Sequence, residues 1–133
     1  MNKTGTKQIE THRLLLRPFQ IEDAENMYSN WASDPEVTRF LTWPTHKSVD
    51  VSRRVLSDWI PLYEDGGYFN WAIEWKETGS VIGNIAVVRL DEEKGTVEMG
   101  YCLSRDWWGQ GIMPEALRAV MAMVPVRTIS RMP

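Results

Sequence analysis

The spacing of apolar residues along the chain changes from helical to alternating and back again. RLLLRPF, residues 13–19, is an apolar run flanked by arginine and proline, and predicts a first strand. Ile21, Ala24, Met27, Tyr28 and Trp31 then recur every three or four positions, which predicts an amphipathic helix over 21–32. Ser33 stands three residues before Glu36 with Pro35 between them, the pattern of a capped second, short helix that Trp43-Pro44 ends. From Ser48 to Tyr63, Val51, Val55, Trp59 and Leu62 fall on one face of a third helix, whose regular part Pro61 should close. After Gly66-Gly67 the period becomes two. YFNWAIEWK (68–76) sets Trp71, Ile73 and Trp75 on one face and Asn70, Ala72 and Glu74 on the other. VIGNIAVVRL (81–90) and TVEMGYCLS (96–104) follow, separated by the turns Glu77–Ser80 and Asp91–Gly95, which reads as an antiparallel meander. A last helix runs from about Met113 to Met123, with Ala116, Leu117, Ala119 and Val120 on a small apolar face, and Pro125 closes it. These elements predict an α+β fold, a mostly antiparallel sheet flanked by helices, in a single domain spanning residues 1–133.

Composition narrows the function classes. With 133 residues, 43% hydrophobic and 25% charged, the chain is the size and type of one globular domain. A net charge of −3 with scattered basic residues argues against a nucleic-acid partner. No apolar run is long enough to span a membrane and the first ten residues are too polar for a signal peptide, so a cytoplasmic protein is expected. The lone Cys102 has only His12 and His46 as further strong ligands, so no metal is expected. Both histidines are expected at the surface.

The densest chemistry lies in DWWGQGIMPEA, 106–116. Gly109 and Gly111 let the backbone turn sharply just before a helix starts. A helix start offers unpaired N–H groups and the positive end of a dipole, which together suit a phosphate. No βαβ unit precedes the turn, so a generic nucleotide-binding domain does not fit.

A strand ending EMGYCLS followed by RDWWGQGIMPEAL resembles the acetyl-CoA signature of the GNAT (Gcn5-related) N-acetyltransferase family, and ETHRLLLRPFQIEDAENMYSNWASDPEVTRFL resembles its ribosomal-protein alanine N-acetyltransferase subgroup. The likeness covers nearly all of the chain to about Val124. It implies that the turn from Asp106 to Ile112 wraps the pyrophosphate of coenzyme A, with the N–H groups of Trp108, Gly109, Gln110 and Gly111 as donors. It also implies that Tyr101, Cys102 and Leu103 pair with the pantetheine arm, the N–H of Cys102 serving as an oxyanion donor. Glu98 is the candidate base that takes the proton from an amine acceptor, either a protein N-terminus or a small amine; the alternative is a solvated strand residue paired with Arg89 or Lys94. Asp106 departs from the pattern, which has Arg or Gln there, and an acidic side chain so near phosphate must point away.

Cys102 reads as a small buried residue rather than a nucleophile, and Trp107 and Trp108 as anchors of the turn rather than adenine platforms. Trp43, Asn70 and Trp71 either belong to the core or line the acceptor pocket. By the resemblance, a strand, a helix and two further strands should follow the last helix, whereas only 125–133 remain, with 126–130 as part of a strand. The expectation is therefore a GNAT-like fold lacking its C-terminal part. Two functions stay open: an acetyl-CoA-dependent N-acetyltransferase, or a remnant that only binds coenzyme A or associates through an exposed sheet edge. Association as a homodimer or larger species is expected in either case.

Overall fold

The computed structural model describes residues 5–39, 41, 43–91, 93–123 and 128–131. Six strands form one sheet in chain order: β1 (Ile9–Glu10), β2 (Leu14–Arg17), β3 (Asn70–Trp75), β4 (Val81–Asp91), β5 (Thr96–Leu103) and β6 (Thr128–Arg131). Each neighbouring pair is antiparallel except β5 and β6, which run parallel. The α+β architecture is as the periodicity predicts. The two-residue strand β1 is too short for a periodic signal. Of the expected final strand, residues 126 and 127 lie outside the described residues, as do Pro125, which was to close the last helix, and Glu92 of the predicted 91–95 turn.

Alternation assigns the two faces of the sheet. Cross-strand pairing aligns Trp71 with Ile85 and Ile85 with Tyr101, and Ile73 with Gly83 and Gly83 with Leu103. This face packs against α4 (Ile112–Met123) through Ile112, Met113, Ala116 and Val120. The opposite face carries the rows Asn70–Ala86–Gly100 and Ala72–Asn84–Cys102. Helical segments cover part of it: α1 (Ala24–Met27) within the stretch 21–32, α2 (Pro35–Thr38) and α3 (Val49–Trp59). Trp31, Trp71, Leu14, Leu16, Leu56 and Ile73 are wholly buried. Burial of each such large side chain is worth about 1.5–3 kcal/mol.

Three local expectations need correction. The segment 21–32 is helical throughout but not uniform, passing from a 3₁₀ turn (Ile21–Asp23) through α1 to a π turn (Tyr28–Ala32). The cap of α2 is Asp34, whose carboxylate accepts from the Glu36 N–H at 2.9 Å. Ser33 still belongs to the preceding turn, and Pro35 forces the extended conformation onto Asp34 instead. In α3 the buried face is centred on Ser52 and Leu56, leaving Val51 and Leu62 exposed.

An ion network fastens the helical layer to the sheet. The Arg17 guanidinium grips Asp23 with two bonds of 2.8 and 2.9 Å and donates to Glu74 at 2.9 Å. Asp23 also accepts from the Gln20 N–H, closing the first helical turn. The Asp23 carboxylate, seconded by Glu74 against the opposing effect of burial, holds the Arg17 pKa above its ordinary value. Among the described residues no helix is long and apolar enough to cross a membrane.

Candidate active site

The glycine turn sits where β5 hands over to α4. A 3₁₀ turn (Arg105–Trp107) leads into it, and Gly109 and Gly111 both take positive φ, 77° and 76°. Glycine alone adopts that conformation cheaply, so the chain reverses within five residues and starts α4 at Ile112. Among the described residues none accepts from the N–H groups of Gly109, Gln110, Gly111 or Ile112. Trp108, expected among the phosphate donors, departs from that role: its N–H closes the 3₁₀ turn on the Arg105 carbonyl at 3.2 Å.

Trp108, Gly109, Gly111 and Ile112 line a groove of about 440 Å³ together with Tyr101, Cys102 and Leu103. Seven of the eight residues expected to bind the cofactor share this groove: Tyr101, Cys102, Leu103, Trp108, Gly109, Gly111 and Ile112. Gln110 does not line it; its side-chain amide donates to the Asp106 carbonyl at 3.0 Å, bracing the turn from within. Asp106 lines a separate polar depression with Asp34 and Arg105 and does not line the groove.

The edge of β5 that lies away from β4 changes character along its length. Parallel pairing with β6 covers only Thr96, Val97 and Glu98. From Met99 to Leu103 no described strand pairs with that edge, so its backbone can accept an extended ligand in the manner of an added strand.

A second groove, about 370 Å³, opens on the face of Asn70, Asn84 and Gly100. It shares Leu41, Tyr101 and Cys102 with the first groove, and Glu98 lies in its wall. The small residues Ala86 and Gly100 leave the space open, whereas Trp43, Trp59 and Phe69 give it aromatic walls. Asn84 donates to the Asn70 Oδ1 at 3.2 Å, and the Asn70 amide donates to the Tyr68 hydroxyl at 3.0 Å. Behind them the Tyr63 hydroxyl accepts from the Phe19 N–H and donates to the Asn70 carbonyl at 2.7 Å, fixing the start of β3. Burial pushes the pKa values of Tyr63 and Tyr68 upward. Both phenols therefore act as neutral hydrogen-bonding groups.

Trp43 and Asn70 are thus brought to the second groove, and Trp71 is not. The Trp71 ring is wholly buried on the opposite face, where its indole N–H donates to the Lys7 carbonyl at 2.7 Å. Alternation turns the Trp71 ring to the α4 side of the sheet, away from the Asn70 side chain. Cys102 is buried, and burial pushes its thiol up to about 12, leaving it protonated and inert as a nucleophile. Trp107 packs on Trp75 with ring centres 4.5 Å apart, and the Trp108 indole donates to the Leu103 carbonyl at 2.9 Å; both tryptophans anchor the turn. His12 is exposed as expected, but His46 is not. Its Nδ1 lies 2.7 Å from the Ser52 hydroxyl, its ring packs on Trp43, and burial lowers its pKa. Among the described residues no three His, Cys, Asp or Glu side chains form a metal-binding group.

Sequence reasoning missed Asn84, Tyr68 and Trp59. Asn84 had a signal, being the one polar side chain within the otherwise apolar VIGNIAVV. Trp59 and Tyr68 had none, because their place at the groove depends on how α3 and the start of β3 pack.

A family model described as an acetyltransferase (GNAT) domain matches residues 13–130. The uncharacterized N-acetyltransferase p20 of Bacillus licheniformis is 35% identical over 111 residues, covering 84% of this chain and 62% of that protein. YoaA of Bacillus subtilis strain 168, also an uncharacterized N-acetyltransferase, is 28% identical over 114 residues, covering 86% and 64%. Among solved structures, the ribosomal-protein α-N-acetyltransferase RimL with coenzyme A bound aligns at a TM-score of 0.73 and 21% identity, covering 87% of this chain and 66% of RimL. The microcin C7 self-immunity acetyltransferase MccE, solved with acetyl-CoA and AMP, aligns at 0.69 and 16%, covering 84% and 62%. At these identities the structural likeness is one of fold. The chain belongs to the GNAT acetyltransferase family. It spans less than two thirds of the length of these relatives.

Proposed function

We propose that the chain binds acetyl-CoA in the first groove and transfers the acetyl group to a primary amine held in the second. The observation that carries this reading is the junction of the two grooves at Tyr101 and Cys102, with uncommitted N–H donors at one end and Glu98 at the other. The pyrophosphate lies on the N–H groups of Gly109, Gln110 and Gly111 at the head of α4. Pantetheine runs along the free edge of β5 past Leu103 and Tyr101, bringing the thioester to the junction. Acetyl-CoA supplies the activated acyl group; the chain orients it and handles the amine proton. The nucleophile must be a neutral amine, whose proton the Glu98 carboxylate removes directly or through a water; as the new C–N bond forms, the thioester C–S bond breaks and coenzyme A leaves as a thiolate that takes up a proton from solvent. The N–H of Cys102 does not serve as the oxyanion donor expected of it, because the Ser104 N–H donates to the Ile82 carbonyl and the Asn84–Cys102 pairing two residues on then turns the Cys102 N–H toward β4.

The acceptor is a protein N-terminus or a small amine, and RimL, which acts on a ribosomal protein, lends weight to the former. The short span relative to the relatives keeps a second reading in view: a chain that binds coenzyme A without turning it over. Self-association through the part of the β5 edge that no described strand covers competes with pantetheine for the same backbone, and so belongs to the unliganded chain. Saturable quenching of tryptophan fluorescence by acetyl-CoA, together with thiol release upon addition of amines, is expected for the enzyme. Binding without thiol release for any amine or N-terminal peptide selects the second reading, and no saturable response or calorimetric heat sinks both.

A further inference from the structure

The side chain of Arg13, contributed by the segment just before β2, lies against the glycine turn almost a hundred residues further on. Its Nη1 donates to the Gln110 carbonyl at 3.0 Å, and its Nη2 is 3.6 Å from where a Cβ would stand on Gly111. Arg13 is itself held from several sides. Its Nε donates to Glu115 at 2.7 Å and its backbone N–H to the other oxygen of the same carboxylate at 3.0 Å, while the Thr11 hydroxyl donates to that oxygen at 2.6 Å. The guanidinium carbon lies 5.9 Å from the centre of the Trp75 ring, and Trp75 in turn packs on Trp107. Burial pushes the Glu115 pKa up, but the hydrogen bonds from Thr11 and Arg13 outweigh it and hold the carboxyl below its ordinary value. The group is a fully connected clamp on the head of α4.

We propose that Arg13 is a positioning residue that orients the Gln110–Gly111 peptide for the pyrophosphate of the cofactor, a role that rests on the function proposed above. Every peptide bond described is trans, so the C=O and N–H of one unit point in opposite directions. By fixing the Gln110 carbonyl on its own side, Arg13 aims the Gly111 N–H at the groove. The constraint matters because Gly111, on one side of this peptide plane, lets the plane rotate where a residue with a side chain would resist. A cation behind the carbonyl also polarises the unit and strengthens its N–H as a donor. Glu115 keeps the guanidinium in register and partly neutralises it, so Arg13 acts through the peptide rather than as a free phosphate ligand.

The test is a coenzyme A titration of the isotopically labelled full chain, read by amide NMR and calorimetry. In the wild type the amides of Gly111, at the pyrophosphate, and of Leu103, beside the pantetheine, both shift. Arg13→Ala is expected to weaken binding about tenfold and to abolish most of the Gly111 shift at saturation while retaining that of Leu103. Arg13→Lys, which keeps the charge but cannot reach Glu115 and Gln110 together, gives an intermediate result. Glu115→Gln, which loosens the anchor, gives the same pattern at smaller amplitude. Unchanged affinity, a retained Gly111 shift, or Gly111 and Leu103 shifts lost together overturn the proposal. Should Arg13→Ala fail to fold, the Lys and Gln variants decide by the same criteria. A wild type that binds no coenzyme A defeats the proposed function itself, whereas binding that Arg13 leaves untouched defeats this role alone.

Discussion

The two grooves that meet at Tyr101 and Cys102 are made in different ways. The groove proposed for the cofactor is built largely from main chain: N–H groups of one five-residue turn and the part of one strand edge that no described strand covers. The groove proposed for the acceptor is built from side chains delivered by β3, β4, β5 and α3 and from Leu41 and Trp43. A backbone site is specified by conformation, and therefore by a few glycines at fixed positions. A side-chain site is specified by packing, and its residues can change while the fold stays. This difference is why family membership supports the first proposed site more directly than any acceptor in the second.

The sharpest test of the division lies at the acceptor end. Glu98→Gln is expected to lower kcat by about 10²–10⁴ and to leave acetyl-CoA affinity within about twofold. An equal loss in binding, or a pH–rate profile unchanged by the substitution, removes Glu98 from the chemistry. On the cofactor side, Gly111→Val places a β-branched residue at positive φ, a strain of about 1–3 kcal/mol. Acetyl-CoA affinity should fall by about ten- to a hundredfold, with the dissociation constant of a bound amine unaltered; equal losses for both ligands would dissolve the distinction.

Asn84→Ala leaves the side-chain Oδ1 of the buried Asn70 without its Asn84 donor. The expected result is an amine KM raised about tenfold, from a cost of about 1–3 kcal/mol, at constant acetyl-CoA affinity in calorimetry. The smallest effect is a pH dependence of stability. His46 has a folded pKa below 6.5, so the unfolded chain binds the extra proton. Its contribution is complete above pH 6.5 and is lost as pH falls through the folded value, and the denaturation midpoint should drop over that window in the wild type but less in His46→Gln. Glu115, also depressed, loses its contribution only as pH falls below 4.5, so the two are separable. A midpoint that is flat or rises between pH 6.5 and 5 contradicts the buried histidine.

The antiparallel meander, the α4 start and the glycine turn were legible because each is set by residues close in sequence: alternation in 70–75, 81–91 and 96–103, and Gly109 and Gly111 ahead of an apolar helix face. Glu98 was legible as a candidate for the same reason, being two residues from Gly100 on one strand face. Failures arose where a local signal had to be combined with distant packing. Trp71 looked suited to a pocket but faces the other side of the sheet, and His46 looked polar enough for solvent but lies under Trp43 and against Ser52. The phase of α3 was misread because its buried face carries Ser52 as well as Leu56.

By itself, then, the sequence determined the order and type of the main elements, the conformation of the glycine turn and the side of β5 on which Glu98 falls, because φ preference and side-chain period act over a few residues. Only the tertiary structure decided that Asn84 meets Asn70, that two grooves join at Cys102, and that Arg13 reaches Gln110 and Glu115 from the far end of the chain. Those contacts depend on strand register and on the docking of helices across the sheet, where the free energy belongs to the packed ensemble of residues and to no local stretch of them.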